Sequence, residues 1–84
     1  MFANKTIQGL NNICGKNIAI YRYSKKLSQR ELANSLQLLG LDIRKNAIQR
    51  IECGKRFVTD FELLYFAKAL DITICDLLES CHEK

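Results

Sequence analysis

Apolar residues recur along this chain at the three- and four-residue spacing of amphipathic helices. No segment alternates apolar and polar residues for long enough to form a strand, and the chain contains no proline. The pattern predicts five helices joined by short loops: about Ile13–Lys26, from a Ser28 cap to Gly40, about Lys45–Cys53, from a Thr59 cap through Leu70, and about Thr73–Glu79. We therefore expect a compact all-α domain.

Three of these helices begin with a capping box, in which a hydroxyl and a carboxylate three residues later each bind a first-turn amide. The pairs are Ser28 with Glu31, Thr59 with Glu62, and Thr73 with Asp76. Asn12 is the expected cap of the first helix, and Gly40 and Gly54 are expected to end the second and third helices.

The helical spacing also predicts which side chains face the core. They are Ile18, Tyr21 and Arg22 of the first helix, Leu32, Ala33, Leu36 and Leu39 of the second, Ile48 and Ile51 of the third, and Leu63, Leu64, Ala67 and Leu70 of the fourth. The apolar run Leu38–Leu41 could be covered by the domain's own core or by a partner subunit, and we expect core packing.

The chain is expected to form one domain over residues 12–80. Residues 1–11 form an N-terminal extension that is a candidate for flexibility, and residues 81–84 form a C-terminal tail. No apolar run approaches the roughly 18 residues of a membrane span, and the N-terminus lacks the pattern of a signal peptide. We expect a cytoplasmic protein.

The four cysteines have no spacing typical of a zinc site or a disulfide framework. Cys75, Cys81 and His82 could in principle approach one metal ion, but Cys81 and His82 would diverge on a helix. Free thiols are the better interpretation, and neither a metal nor a cofactor is expected.

Charge is distributed unevenly along the chain, whose formal net charge is +4. Residues 16–56 hold ten Lys and Arg and three acids, a net of +7, whereas residues 57–84 hold two lysines and six acids, a net of −4. Cations gathered in one half of a chain favour a polyanionic partner, although an ordinary solvated basic surface has the same composition.

The third predicted helix combines an apolar side with a basic and amide-rich side. At about 100° per residue, Ala47, Ile48, Ile51 and Glu52 fall within one arc. The opposite arc carries Lys45, Asn46, Gln49, Arg50 and Cys53. Lys and Arg bind guanine edges and phosphates, and Asn and Gln can bind adenine bidentately, so this arc is expected to face the major groove of DNA.

Three ordered blocks, from Ser28 to Ala33, from Ile48 to Arg56 and from Glu62 to Leu70, carry a family resemblance. Their residues S-Q-x-x-L-A, I-x-x-I-E-x-G-K-R and E-L-L-x-x-A-K-A-L resemble the Cro/repressor-type (XRE-like) helix-turn-helix regulators. The resemblance covers roughly residues 12–80. It implies a lambda-repressor-like DNA-binding domain in which the second and third helices form the helix-turn-helix.

The resemblance implies roles for particular residues. Lys45, Asn46, Gln49 and Arg50 would contact base edges from the third helix, the recognition helix. Phosphate contacts would come from Ser28, Gln29, Arg44, Lys55 and Arg56. An ion pair between Arg22 and Glu52 would hold the recognition helix against the first helix.

One departure from the family pattern lies between the second and third helices. Ala33 and Ile48 are fifteen residues apart, whereas the commonest form of the motif has about ten between the corresponding positions. The additional residues, within QLLGLDI, are expected to lengthen the second helix, the loop, or both.

Other function classes are less well supported by the sequence. The single histidine, His82, lies near the C-terminus with no nucleophile or acid pair to accompany it, so we expect no enzyme. An RNA-binding or purely structural role is disfavoured because all three tyrosines fall on partly apolar helix faces. The main alternative is an antitoxin or protein-interaction module of the same fold, bound chiefly to another protein.

The sequence therefore predicts a transcriptional regulator, preferentially a repressor, that binds double-stranded operator DNA. A homodimer on a palindromic operator is expected, with the acidic C-terminal segment or the Leu38–Leu41 region as its interface.

Overall fold

The computed structural model describes residues 9–79, and within that range every regular element is an α-helix. The helices are α1 (Gly15–Ser24), α2 (Gln29–Leu39), α3 (Lys45–Glu52), α4 (Asp60–Leu70) and α5 (Ile74–Leu78). The predicted all-α class with five helices is confirmed. None of these helices has the length and apolar character needed to cross a bilayer. The predicted tail 81–84, with Cys81 and His82, lies outside the described residues, as do residues 1–8 of the extension.

All three predicted capping boxes form. The Ser28 hydroxyl accepts a hydrogen bond from the Glu31 amide at 3.0 Å, and Glu31 Oε1 accepts one from the Ser28 amide at 2.8 Å. Thr59 and Thr73 make the same reciprocal pairs with Glu62 and Asp76. Because these signals lie within four residues of one another, they fix the starts of α2, α4 and α5 locally.

The predicted bounds of the first helix are wrong by two residues at each end. Cys14 stands at the N-cap position without a side-chain hydrogen bond, and α1 begins at Gly15. The helix ends at Ser24 because Lys26 adopts a left-handed φ of 59°. The third and fifth helices are also shorter than predicted, since Cys53 and Thr73 are flanking cap residues.

The core lies where α1, α2, α3 and α4 meet, with α5 packed against α1 and α4. Eight large apolar side chains of these five helices are fully buried: Ile18, Leu32, Leu36, Ile48, Ile51, Phe66, Leu70 and Leu77. The two isoleucines of α3 are among them, as predicted. This burial anchors one side of α3 and leaves its opposite side exposed.

Three leucines expected in the core are exposed instead. Leu38 is 90% exposed, Leu39 44% and Leu64 51%. Leu38 and Leu64 each stand two residues from a fully buried residue of their own helix, Leu36 and Phe66, and therefore project about 160° away from it. Leu39 ends α2, where the chain turns at Gly40 and buries Leu41 instead.

The connection between α2 and α3 is five residues long, from Gly40 to Arg44. It is longer than the usual helix-turn-helix turn of about three to four residues. Gly40 has a φ of 110°, and the Leu41 amide bonds the Leu36 carbonyl at 2.9 Å. Buried Leu41 and Ile43, and a 2.7 Å hydrogen bond from Gln37 Nε2 to the Ile43 carbonyl, hold this longer loop against the core.

Candidate nucleic-acid interface

The four residues expected to read bases lie together on the exposed side of α3. Lys45, Asn46, Gln49 and Arg50 are all exposed, and Cys53 continues the same surface. Within residues 9–79, none of these four side chains is engaged in a hydrogen bond or an ion pair. Their donors and acceptors are therefore available to a ligand.

A three-residue network fixes α3 from its other side. Arg22 Nε and Nη2 donate to Glu52 Oε2 and Oε1 at 2.7 and 3.0 Å, and both side chains are more than 90% buried. Gln29 Nε2 donates to Glu52 Oε1 at 2.9 Å. Because these residues belong to α1, α2 and α3, one carboxylate joins the three helices that build the surface.

The surroundings of Arg22 keep its guanidinium charged. The hydrogen bond to Glu52 raises the pKa of Arg22 further above its ordinary value, more than burial lowers it. Arg22 also donates to the Leu27 carbonyl at 2.8 Å, and its guanidinium carbon lies 4.4 Å from the centre of the Tyr23 ring. All three guanidinium nitrogens thus donate within the protein, so we interpret Arg22 as a structural residue.

The N-terminus of α2 opens onto a cleft of about 460 Å³ lined by side chains from three helices. These side chains are Arg22, Tyr23, Ser28, Gln29, Arg30 and Lys45. The first-turn amides of a helix have no intrahelical partner and attract anions. Arg30 and Lys45 add positive charge, so the cleft has the chemistry of a phosphate site.

Ser28 and Gln29, the predicted phosphate contacts at the start of α2, each use part of their side chain in a hydrogen bond within the protein. Gln29 Nε2 donates one of its two N–H groups to Glu52, and the backbone N–H of Gln29, in the first turn of α2, is a further candidate donor to a phosphate. Ser28 Oγ accepts from the Glu31 amide, and its own O–H proton stays available for a phosphate.

The loop after α3 carries two further cations, Lys55 and Arg56. Lys55 is exposed. Arg56 is partly committed, because its Nη1 and Nη2 donate to Glu62 Oε1 and Oε2 at 3.2 and 3.1 Å. Burial raises the pKa of Glu62, but these hydrogen bonds and the bond from the Thr59 amide outweigh it and lower that pKa below its ordinary 4.5. Arg56 therefore joins the loop to the start of α4.

Arg44 stands at the start of α3 without capping it. Its side chain is 80% exposed and approaches Asp42 only at 3.9 Å. Such an exposed pair contributes little to stability. The guanidinium is free to turn toward a ligand.

Sequence reasoning assigned no role to two residues of this surface. Arg30 lines the cleft two residues after the Ser28 cap, and that position in the first turn of a helix is a usable signal for an anion contact. Tyr23 is 69% exposed, although the tyrosines were expected on partly apolar faces. Tyr23 lies within α1 but follows buried Arg22 by one residue, so it projects about 100° away from that side chain.

No protein-family model and no curated protein matches the chain, but several solved structures do. The restriction-modification controller protein C.AhdI from Aeromonas hydrophila is 30% identical with a TM-score of 0.67, over 76% of this chain and 86% of that one. The clp gene regulator ClgR from C. glutamicum is 22% identical with a TM-score of 0.70, over 81% and 82% of the two chains.

A hypothetical transcription factor, NHTF, from Neisseria is 21% identical with a TM-score of 0.75 and covers 99% of this chain and 91% of its own. The two more distant relatives establish the fold, and the identity and coverage of the controller protein establish the family. The resemblance drawn from the sequence is thereby confirmed: this chain belongs to the Cro/repressor-type helix-turn-helix family of transcriptional regulators.

Proposed function

We propose that this protein is a sequence-specific repressor that inserts α3 into the major groove of double-stranded operator DNA. The observation that carries the proposal is the two-sided character of α3. Its apolar side is held by fully buried Ile48 and Ile51 and by the Glu52 network, whereas its polar arc has no partner in residues 9–79. A helix whose backbone is fixed in this way presents Lys45, Asn46, Gln49 and Arg50 to the groove as base-reading groups.

Affinity in this proposal comes mainly from phosphate neutralisation. The cleft at the start of α2 and the exposed Lys55 lie at the two ends of α3, where the strands bordering the groove would pass. A homodimer would place two such surfaces on half-sites roughly 34 Å apart, which predicts a palindromic operator. Selection from a random duplex pool with the purified protein tests the proposal, since an enriched palindrome supports it and no enrichment contradicts it.

The protein-interaction alternative is favoured by one observation. Leu38, Phe61 and Leu64 are large apolar side chains at least half exposed. A protein whose chief role is to bind another protein, as an antitoxin does, would use such surface and could enrich no DNA sequence. The same selection therefore separates the two functions.

Base readout can be tested at the centre of the polar arc. Replacing Gln49 or Arg50 by Ala should weaken binding to the selected duplex by about 1–3 kcal/mol and relax preference at one or two positions, because the bonds to base edges are lost. Repeating the selection with each variant measures both effects. Lys68→Ala removes an exposed cation from α4 and is the control. An unchanged sequence preference in both variants would contradict the assignment.

Phosphate binding can be tested in the loop after α3. Lys55→Ala should weaken binding to selected and scrambled duplexes alike and flatten the slope of log affinity against log salt by about one. Arg56→Ala should change this slope less, because its guanidinium is shared with Glu62. Titrations at several salt concentrations measure the slopes. Weaker binding of Lys55→Ala to the selected duplex alone would instead indicate base readout by Lys55.

A further inference from the structure

The segment that precedes α1 lies against the end of the recognition helix. The Asn11 amide donates to the Gly54 carbonyl at 2.8 Å, and Asn11 Nδ2 donates to the Lys55 carbonyl at 3.0 Å. Leu10 covers Gly54 so closely that a Cβ added to that glycine would meet Leu10 Cδ2 at 2.7 Å. We refer to Leu10, Asn11 and Asn12 as the N-terminal clamp.

Asn12 makes the contacts that reach α3 itself. Its Nδ2 donates to the Ile51 carbonyl at 3.1 Å and to the Arg56 carbonyl at 2.7 Å. Its Oδ1 accepts a hydrogen bond from the Gly15 amide at 2.8 Å. One side chain thus joins the first turn of α1, the last turn of α3 and the loop that follows α3.

These hydrogen bonds end on carbonyls in the last turn of α3 and in the loop after it. The Ile51 carbonyl accepts from the Gly54 amide at 2.9 Å, and the Asn12 carboxamide gives it a second donor that comes from outside the helix. The carbonyls of the following loop would otherwise depend on water. The clamp therefore restricts how α3 and this loop can tilt relative to α1.

From this geometry we infer that Asn12 is a positioning residue for sequence selectivity, acting through α3 and the Lys55–Arg56 loop and not by contact with DNA. The inference rests on the proposed function. Hydrogen bonds to base edges require side chains held within fractions of an ångström, so they depend on the orientation of α3. Non-specific binding depends on charge near the phosphates and tolerates small tilts.

The decisive variant is Asn12→Asp. An aspartate keeps the oxygen that accepts from the Gly15 amide but has no donor for the Ile51 and Arg56 carbonyls. The cap on α1 is retained while the link to α3 is lost. The matched control is Asn17→Asp, because Asn17 Nδ2 also donates to two carbonyls, those of Leu77 and Glu79, in and after α5.

Both variants replace a carboxamide whose nitrogen donates to two carbonyls, but only the first loses a link to α3. Affinity is measured for the duplex recovered by selection from a random pool and for a scrambled duplex of equal length. The temperature is one at which circular dichroism shows both variants folded. If Asp at either position prevents folding, Asn12→Ser and Asn17→Ser replace the pair, since each shortens the side chain without adding charge.

Asn12→Asp should lower affinity for the selected duplex about tenfold and for the scrambled duplex less than about twofold, given two lost hydrogen bonds and a less preorganised helix. Asn17→Asp should leave the ratio of the two affinities within about twofold of the parent. Equal losses on both duplexes, or an unchanged ratio in the Asn12 variant, would overturn the inference while leaving the proposed function intact. A parent protein that enriches no sequence would overturn the proposed function and this inference with it.

Discussion

Replacing Arg22 by Ala should lower the free energy of unfolding by about 3–5 kcal/mol, because it leaves the Glu52 carboxylate buried without its cation. The pair is bidentate, and its side chains are only 6% and 9% exposed. The remaining partner, Gln29 Nε2, is neutral and cannot compensate the charge. A loss of this size is comparable to the whole stability of many small domains. Urea or thermal unfolding followed by circular dichroism measures it.

Two further variants test whether Arg22 and Glu52 form a buried ion pair or are two exposed side chains that contribute little to stability. Glu52→Ala should be similarly destabilising, since Arg22 would keep only the Leu27 carbonyl and the Tyr23 ring. The double variant Arg22→Met/Glu52→Leu should be far milder, because no charge is left buried. As a control, Asp42→Ala removes a partner of the exposed Arg44 and should change stability by less than about 0.5 kcal/mol. Melting of all the Arg22 and Glu52 variants near the parent would contradict the prediction.

The ion pair between Arg22 and Glu52 could be predicted because two independent observations indicated the same residues. Glu52 is the only acid of its helix and borders the apolar arc, where an unpaired carboxylate would be costly. The family resemblance supplied Arg22 as its partner. The capping boxes were predictable for a simpler reason, since both members of each box lie within four residues.

The exposed leucines could not be predicted with the same success. A leucine at helical spacing is equally suited to a core or to an unpartnered face, and the difference is set by which helices pack beside it. Leu38 is 90% exposed because it lies on the side of α2 opposite buried Leu36, and Leu41 of the same short run is buried because the chain leaves the helix at Gly40. The helix face and the turn, rather than the composition of the run, decide which leucine enters the core.

The N-terminal clamp was not predictable from the sequence for a related reason. Asn12 was expected only to cap the first helix, and its oxygen does accept from the Gly15 amide. Its amide donors reach carbonyls 39 and 44 residues away, and backbone carbonyls carry no sequence signal. Residue type therefore predicted the hydrogen bond that Asn12 accepts at the start of α1, but not the two hydrogen bonds that it donates to distant carbonyls.

The start of α1 packs directly against the last turn of α3 at Gly15. This glycine is buried, and a Cβ built on it would fall well inside contact distance of the Ile51 carbonyl oxygen and 2.8 Å from Asn12 Oδ1. Alanine normally stabilises a helix relative to glycine by roughly 0.5–1 kcal/mol. Gly15→Ala should instead lower the free energy of unfolding, because the added Cβ meets a backbone carbonyl, which cannot move aside as the tip of a side chain can.

We expect Gly15→Ala to destabilise the domain by roughly 3 kcal/mol, at the upper end of typical overpacking. Lys16→Ala, at the exposed neighbouring position, is the control and should change stability by less than about 0.5 kcal/mol. Urea unfolding of the two variants beside the parent gives both values. Because the displaced group belongs to the recognition helix, the same substitution should also disturb the Asn12 hydrogen bonds that hold α3. An unfolding free energy equal to or above the parent's would show that α1 and α3 lie farther apart than this packing requires.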